Sequence, residues 1–441
     1  MKALIIDPAL RSMGGHHYNA ALTLKAELSA LGIDHACLGS SFAEAGVTKD
    51  LGCTPCFSRS VYGRAYRELR EFRDGVRLTR VELGLALTQP PSRGLALHGD
   101  RSRPDLLILP CCDQVLALAV AQYLRRAWFD DALRGRRWRP PLILLWLLFG
   151  PHVKKATDDP SLQALYGECR EAFAALRRAA GAERIQAFCE TAGMADAYRT
   201  VTGLNIGVAP GPGLARDVDG VCHNAPSDTA PTTDSLTGAA PTVSAPTVVC
   251  LGFANAAKGY RLLPGAIARV LAGHRHVRFL VHGIFCGSDT EDQEPVFDRL
   301  AGIGPRVTVR TDVLSQSDYL SWLRQADLVL LPYDPEVYRT RGSGLFAEAR
   351  RLGIPVVATR GCGFAEPAFR QGWGAEITDY DEAGIARAVL QALGGLDAMT
   401  ARVPDDTDPD PGTILRAAVD AARAGALRPR ERRFWRLFTS R

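Results

Sequence analysis

Two glycine-flanked stretches of this sequence carry the residue types that hold an anion. The first is Asn255-Ala256-Ala257-Lys258-Gly259, just after an apolar run ending Leu251-Gly252-Phe253. A lysine at a helix start adds its ammonium to the unpaired backbone N–H groups there, and both favour a negative ligand. Lys258 is also the only lysine after Lys155, in a chain whose cations are almost all arginine. The second stretch is Tyr338-Arg339-Thr340-Arg341-Gly342-Ser343-Gly344, leading to Leu345-Phe346-Ala347-Glu348. Gly342, Ser343 and Gly344 offer amides at a helix start, which suits a phosphate. Arg339 and Arg341 can neutralise a diphosphate. Glu348 lies one turn further on, where a carboxylate can accept from paired ribose hydroxyls.

Three other places invite a chemical reading. Gly14-Gly15-His16-His17 follows the first apolar run and opens a helix. It reads as a contact for an acceptor or a pyrophosphate, or as polar residues at a helix start. Glu366, after Gly361-Cys362-Gly363-Phe364-Ala365, reads as a sugar contact or as a helix-start acid. His152 follows the run Pro140–Pro151 and stands near a strand end. Metal chemistry finds little support. Cys53-Thr-Pro-Cys56 has the spacing of a redox or half-zinc motif, but no second such pair completes it. It reads as two incidental thiols in a loop. Asp408-Pro-Asp410 sits in an acidic turn remote from the nucleotide-type motifs, and His274 and His276 read as a solvated turn. No metal site is expected. A nicotinamide enzyme is disfavoured too, because no GxGxxG follows the first strand of either half.

These residues need strands and helices to position them, and the sequence supplies both. Apolar runs at 3–6, 105–109, 142–148, 185–188 and 204–209 alternate with helical patterns at 17–31, 114–128 and 161–180. Such alternation marks a parallel sheet covered by helices. Residues 213–246 are rich in Ala, Pro, Thr, Ser and Asp. They lack the large apolar residues that would offset ordering entropy, so they read as a linker or extended loop. A second series follows, with strands at 247–251, 277–281, 307–309, 328–331, 355–358 and 375–377 and helices at 262–271, 317–324 and 344–352. The chain therefore divides into a Rossmann-like domain over 1–212, the linker, and a second Rossmann-like domain over 247–400. An acidic turn, a C-terminal helix and a basic aromatic tail complete it over 401–441. The expected fold class is α/β, two doubly wound parallel-sheet domains facing a cleft where the strands' C-terminal ends bind ligands.

Composition bounds the rest. The 441 residues carry 53 Lys+Arg against 48 Asp+Glu, a net charge of +5, too weak over this length to mark a nucleic-acid binder. Arginine in place of lysine, with abundant Ala and Gly, has the bias of a GC-rich bacterial genome. Eleven scattered cysteines, several in apolar runs, fit reduced thiols in a cytoplasmic protein. The longest apolar run, 140–151, is short of the roughly 20 residues of a membrane span. Arginines and aromatics in 134–139 and 428–438 suit an anionic membrane surface, and read either as peripheral attachment of a cytoplasmic protein at the inner face or, for the tail, as a poorly ordered terminus.

Residues 249–366 resemble the C-terminal domain of family 4 glycosyltransferases, the retaining GT-B enzymes of glycosyltransferase group 1. The resemblance rests on LGFANAAKGY, ADLVLLPYD and RGSGLFAEARRLGIPVVAT. The Gly14–His17 loop resembles the family's acceptor-side glycine loop, and Ala209-Pro210-Gly211-Pro212 the close of its first domain. The resemblance implies a nucleotide-sugar donor held mainly by the second domain. Gly252 and Lys258 would meet the diphosphate, Arg339, Arg341, Gly342, Ser343 and Gly344 the phosphates, Glu348 the ribose and Glu366 the sugar. Lys258, Arg341 and His152 would serve catalysis, and Gly14, Gly15, His16 and His17 the acceptor. It implies transfer with retention to a glycan or lipid-linked acceptor in bacterial polysaccharide or lipopolysaccharide assembly, with no cofactor beyond the nucleotide-sugar and no metal.

The sequence departs from the family at three positions. Phe253 stands where an arginine usually follows the glycine of the first strand, Thr340 where the family's first glutamate falls, and His152 lies late after its strand. Two alternatives follow: a non-catalytic nucleotide-sugar-binding protein on the same plan, or a sugar-nucleotide epimerase, which would need further acids in the cleft.

Overall fold

The computed structural model describes residues 1–13, 15–60, 69–88, 104–135, 139–151, 160–212, 245–274, 276–285, 290–314, 316–404 and 411–423. Gly14, His152, Asp408, Asp410, residues 213–244 of the linker, 136–138 of the first basic stretch and the tail from 424 lie outside them.

The first domain is a seven-stranded parallel sheet. Its strands are β1 (Lys2–Ile6), β2 (Asp34–Ser40), β3 (Cys53–Phe57), β4 (Leu106–Leu109), β5 (Leu142–Leu147), β6 (Ile185–Cys189) and β7 (Ile206–Val208), in the order β3-β2-β1-β4-β5-β6-β7. Its helices are α1 (Gly15–Ala30), α2 (Ala45–Leu51), α3 (Leu69–Thr88), α4 (Gln114–Leu133), α5 (Pro160–Ala180) and α6 (Ala192–Thr202). Alternation along β1 builds two cores. Leu4 and Ile6 face α3 to α6, while Ala3 and Ile5 face α1 and α2.

The second domain has β8 (Thr247–Cys250), β9 (Phe253–Ala254), β10 (Arg278–His282), β11 (Ile284–Phe285), β12 (Val307–Arg310), β13 (Leu328–Leu331), β14 (Val356–Thr359) and β15 (Gly374–Ile377). The main sheet runs β12-β10-β8-β13-β14-β15, all parallel, and β9 pairs with β11 in a small sheet of their own. The order is that of a dinucleotide-binding domain, with its switch point between β8 and β13. Helices α7 (Leu263–Gly273), α8 (Thr290–Ala301), α9 (Gln316–Arg324), α10 (Pro335–Tyr338), α11 (Gly344–Arg351), α12 (Glu366–Gln371), α13 (Glu382–Gly394) and α14 (Leu396–Thr400) surround it. Val248 and Cys250 pack toward α7, α8 and α13, and Val249 and Leu251 toward α11.

The last helix, α15 (Pro411–Arg423), returns to the first domain. Ile414, Leu415, Ala418 and Val419 are fully buried against Ala3, Ile5, Leu24 and Leu144. Arg416 meets Glu27 at 3.2 Å and Arg423 donates to the Leu31 carbonyl at 3.3 Å.

Several sequence expectations change here. Cys53-Thr-Pro-Cys56 is strand β3, not a loop, at the edge of the sheet where the missing amide of Pro55 costs little. Buried Cys53 neighbours Cys37, and Cys56 donates to the Glu82 carbonyl at 3.4 Å. Helix α4 runs five residues beyond the expected end. Strand β2, with few large apolar residues, and helices α3 and α13 were not anticipated.

Candidate functional site between the two sheets

The strands of each sheet are parallel, so all their C-terminal ends open on one side, and the loops that follow meet between the domains. From the second domain, β8 leads through Gly252 to the short 3-10 turn Ala256–Lys258. Gly259 ends the turn at φ 70°, and a Cβ there would lie 2.0 Å from the Pro332 carbonyl oxygen, so only glycine allows this approach. Asp334 N–H donates to the Ala257 carbonyl at 2.8 Å and pins the turn to the loop after β13. Lys258 is thereby set with its Nζ 5.5 Å from the centre of the Tyr333 ring. A Cβ on Gly252 would come within 2.7 Å of that Nζ. Gly252, Lys258 and Tyr333 therefore share one spot at the switch point.

Glu348, on α11, faces the same spot. Tyr319 of α9 donates its hydroxyl to Glu348 Oε2. Burial pushes the Glu348 carboxyl up to about 7, tempered by that hydrogen bond and by the charges of Arg351 and Lys258. Ser343 caps α11 by accepting from the Phe346 amide at 3.3 Å, and Gly344 begins the helix, exposed. Arg341 lies with its guanidinium 4.7 Å from the Phe149 ring centre and 5.1 Å from that of Tyr338. Phe149 follows β5, so this cation already bridges the two domains. Arg339 is placed differently: it is exposed and ion-paired with Glu336 at 2.6 Å. Glu366 is exposed at the start of α12.

The first domain supplies the other wall. Asp7, wholly buried just past β1, meets His17 Nδ1 at 2.8 Å. The His16 ring lies beside that of His17, tilted by 39°, with ring centres 4.0 Å apart. His16 keeps an exposed surface but sits down in the cleft with protein on several sides. That crowding is the main cause of its pKa falling to about 3, with His17, Lys258 and Arg341 adding to the shift against Asp7. Lys258 and Arg341 act on it from the opposite domain, so the loops after β1, β8 and β13 converge.

Sequence reading missed the residues after β6. Glu190 lies against Gly342, where a Cβ would be 1.9 Å from Glu190 Oε2, and against Gly211, at 2.7 Å from Oε1. Burial pushes the Glu190 carboxyl up to about 7, against the Gly211 amide and the charge of Arg341. Thr191 caps α6 by accepting from the Met194 amide, and its hydroxyl donates to the Thr340 carbonyl. Thr340, where the family has glutamate, thus faces the first domain. An acid at the C-terminal end of a predicted strand was the available signal. Phe253 lies in β9 with its side chain 39% exposed, so this position adds no cation.

The comparisons with known proteins agree with this architecture. Residues 245–394 match the family model described as glycosyl transferases group 1. This stretch is thus similar to a group 1 glycosyltransferase domain. A glycosyltransferase from Rickettsia africae superposes with TM-score 0.60 at 11% identity, covering 96% of this chain and 98% of that one. A candidate UDP-N-acetylglucosamine 2-epimerase from Listeria monocytogenes gives TM-score 0.57 at 11% identity, over 97% and 98%. The Anabaena protein HepE, solved with UDP and glucose, gives 0.54 at 14% identity, over 96% and 98%. The two-domain fold is GT-B. No curated protein matches the chain in sequence. Among the described residues, no helix is long and apolar enough to cross a membrane.

Proposed function

We propose that the chain transfers a sugar, with retention, from a nucleotide-sugar donor to a glycan or glycolipid acceptor in bacterial polysaccharide or lipopolysaccharide assembly. The observation that carries this reading is the convergence of Lys258, Arg341 and the start of α11 beside the Glu348 carboxylate. Lys258 and Arg341 stabilise the leaving diphosphate as the sugar becomes cationic, and the amides of Ser343 and Gly344 add to them. Arg341 takes the part of the cation that Phe253 does not provide. Glu348 accepts from the ribose hydroxyls, and His16 and His17 face the acceptor. No metal is called on to hold the diphosphate, and the donor is the only co-substrate. The exposed Trp128, Phe129 and Leu133 of α4, with Arg125 and Arg126 on the same helix, support attachment to an anionic membrane surface.

A second reading is an epimerase acting on a sugar nucleotide. Glu190 favours it, since a cleft carboxyl with its pKa near 7 is suited to moving protons.

Thermal melting with UDP, GDP, ADP, dTDP and NAD tests the donor site, and the UDP complexes of HepE make UDP the first choice. At a hundred times its dissociation constant, the right nucleoside diphosphate adds about 2.7 kcal/mol. Lys258→Ala should abolish the shift. If no nucleotide stabilises the wild type, the donor assignment fails. With the base named, product analysis separates the readings: transfer requires an acceptor, whereas epimerisation proceeds without one.

A further inference from the structure

On the first-domain side of the cleft, a buried thiol joins the histidine pair that the proposed transfer turns toward the acceptor. His16, His17 and Cys111 each offer one ligand atom, and these atoms lie within 4.8 Å of one another. Cys111 is buried just past β4, and Asp7 just past the adjacent β1. Neighbouring strand ends and the first turn of α1 thus bring a thiol and two imidazoles together.

The surroundings of the cluster fit a metal. His17 Nδ1 donates to Asp7 Oδ2, which directs His17 Nε2 to act as the ligand. A carboxylate behind a histidine is the usual outer support of a metal-bound imidazole, fixing ring orientation and raising basicity. Asp7 is itself fixed, its other oxygen accepting from the Ala9 amide at 3.0 Å. Asp7 and Glu190 are the acids that act on Cys111, and both favour a cation nearby. Lys258 and Arg341 across the cleft oppose it.

We infer that His16, His17 and Cys111 bind one divalent transition-metal ion of the zinc type. Thiolate with imidazole selects zinc or cobalt over magnesium or calcium. Ligand atoms about 2.0–2.3 Å from a tetrahedral ion stand roughly 3.5 Å apart. Rotations that draw the three atoms together by about an ångström therefore close the site. Cys111 gives up its thiol proton to solvent as the metal–sulfur bond forms. Three protein ligands leave a fourth position for water or a substrate oxygen on the exposed side of His16. The site stands whether or not the chain transfers sugar, and it departs from the metal-free expectation of the sequence.

Cobalt titration of the metal-free, tag-free full chain tests it, read by the sulfur-to-cobalt charge-transfer band and then by displacement with zinc. Wild type and Cys56→Ser should bind one equivalent and show the band. Cys111→Ser should lose the band, and Asp7→Asn should bind about 10- to 100-fold more weakly. Circular dichroism of each metal-free variant checks folding. If Cys111→Ser does not fold, His16→Ala at its exposed position replaces it and should weaken binding at least tenfold. Absence of cobalt binding to the folded wild type overturns the site. So does a band that survives Cys111→Ser or disappears in Cys56→Ser.

Discussion

Glu190 is held between Gly211 and Gly342, at the seam of the two domains, with its pKa raised to about 7 by burial. A carboxyl with a higher pKa in the folded chain holds its proton more tightly there than in the unfolded chain. Its stabilising contribution is complete below the unfolded value, about 4.5, and is lost as pH rises to about 7. Glu348 acts with the same sign. Glu190→Gln should therefore flatten the fall of melting temperature between pH 4.5 and 7. An unchanged slope would mean that the carboxyl is solvated in solution. At this scale the sequence singled out Lys258, Arg341, Ser343 and Glu348, because glycine and cation at a strand-to-helix junction have a physical meaning of their own. It was silent about the ion pair of Arg339 with Glu336, which depends on side-chain direction along the short helix α10.

Among the elements, α15 shows how a remote segment completes a core. Its sequence reads as one amphipathic helix, but its partners, helix α1 and strand β5, lie roughly 390 and 270 residues earlier. Leu415 is fully buried against them. Leu415→Ala should cost about 2–5 kcal/mol in urea unfolding, the range for a buried leucine truncated to leave a cavity. A loss below 1 kcal/mol would mean that α15 is not docked in solution. Most strands were legible because fully buried parallel strands are continuous apolar runs. Strand β2 was not, since Asp34-His35-Ala36-Cys37-Leu38-Gly39-Ser40 has a single large aliphatic residue. Its place between β1 and β3 comes from backbone pairing with both neighbours.

Across the whole molecule, the relation between domains is reported by His16. Its pKa of about 3 depends first on desolvation by the protein around it and then on His17, with Lys258 and Arg341 contributing from the second domain. In proton NMR the metal-free wild type should keep His16 neutral from pH 8 down to below 5. Arg341→Ala should raise its pKa, since one of the opposing cations is gone. A wild-type value near 6.5 would show the cleft open in solution. The hydrogen bond from Thr191 to the Thr340 carbonyl and the contact of Arg341 with Phe149 are among the links across it.

The sequence by itself determined two helix-covered parallel sheets and the Pro- and Thr-rich stretch between them, and it singled out a glycine-rich junction and the lysine at 258. Each is written in local periodicity or in glycine and charge at one junction, where neighbours along the chain are neighbours in space. Only the tertiary structure decided what the two domains make together. Glu190 meets Gly342, His16 senses Lys258, and Cys111 joins the histidine pair, across separations that no local pattern encodes. The physical reason is that parallel strands deliver their C-terminal ends to one side whatever their order in sequence. Which loops then face one another is settled by sheet order and by how the domains dock.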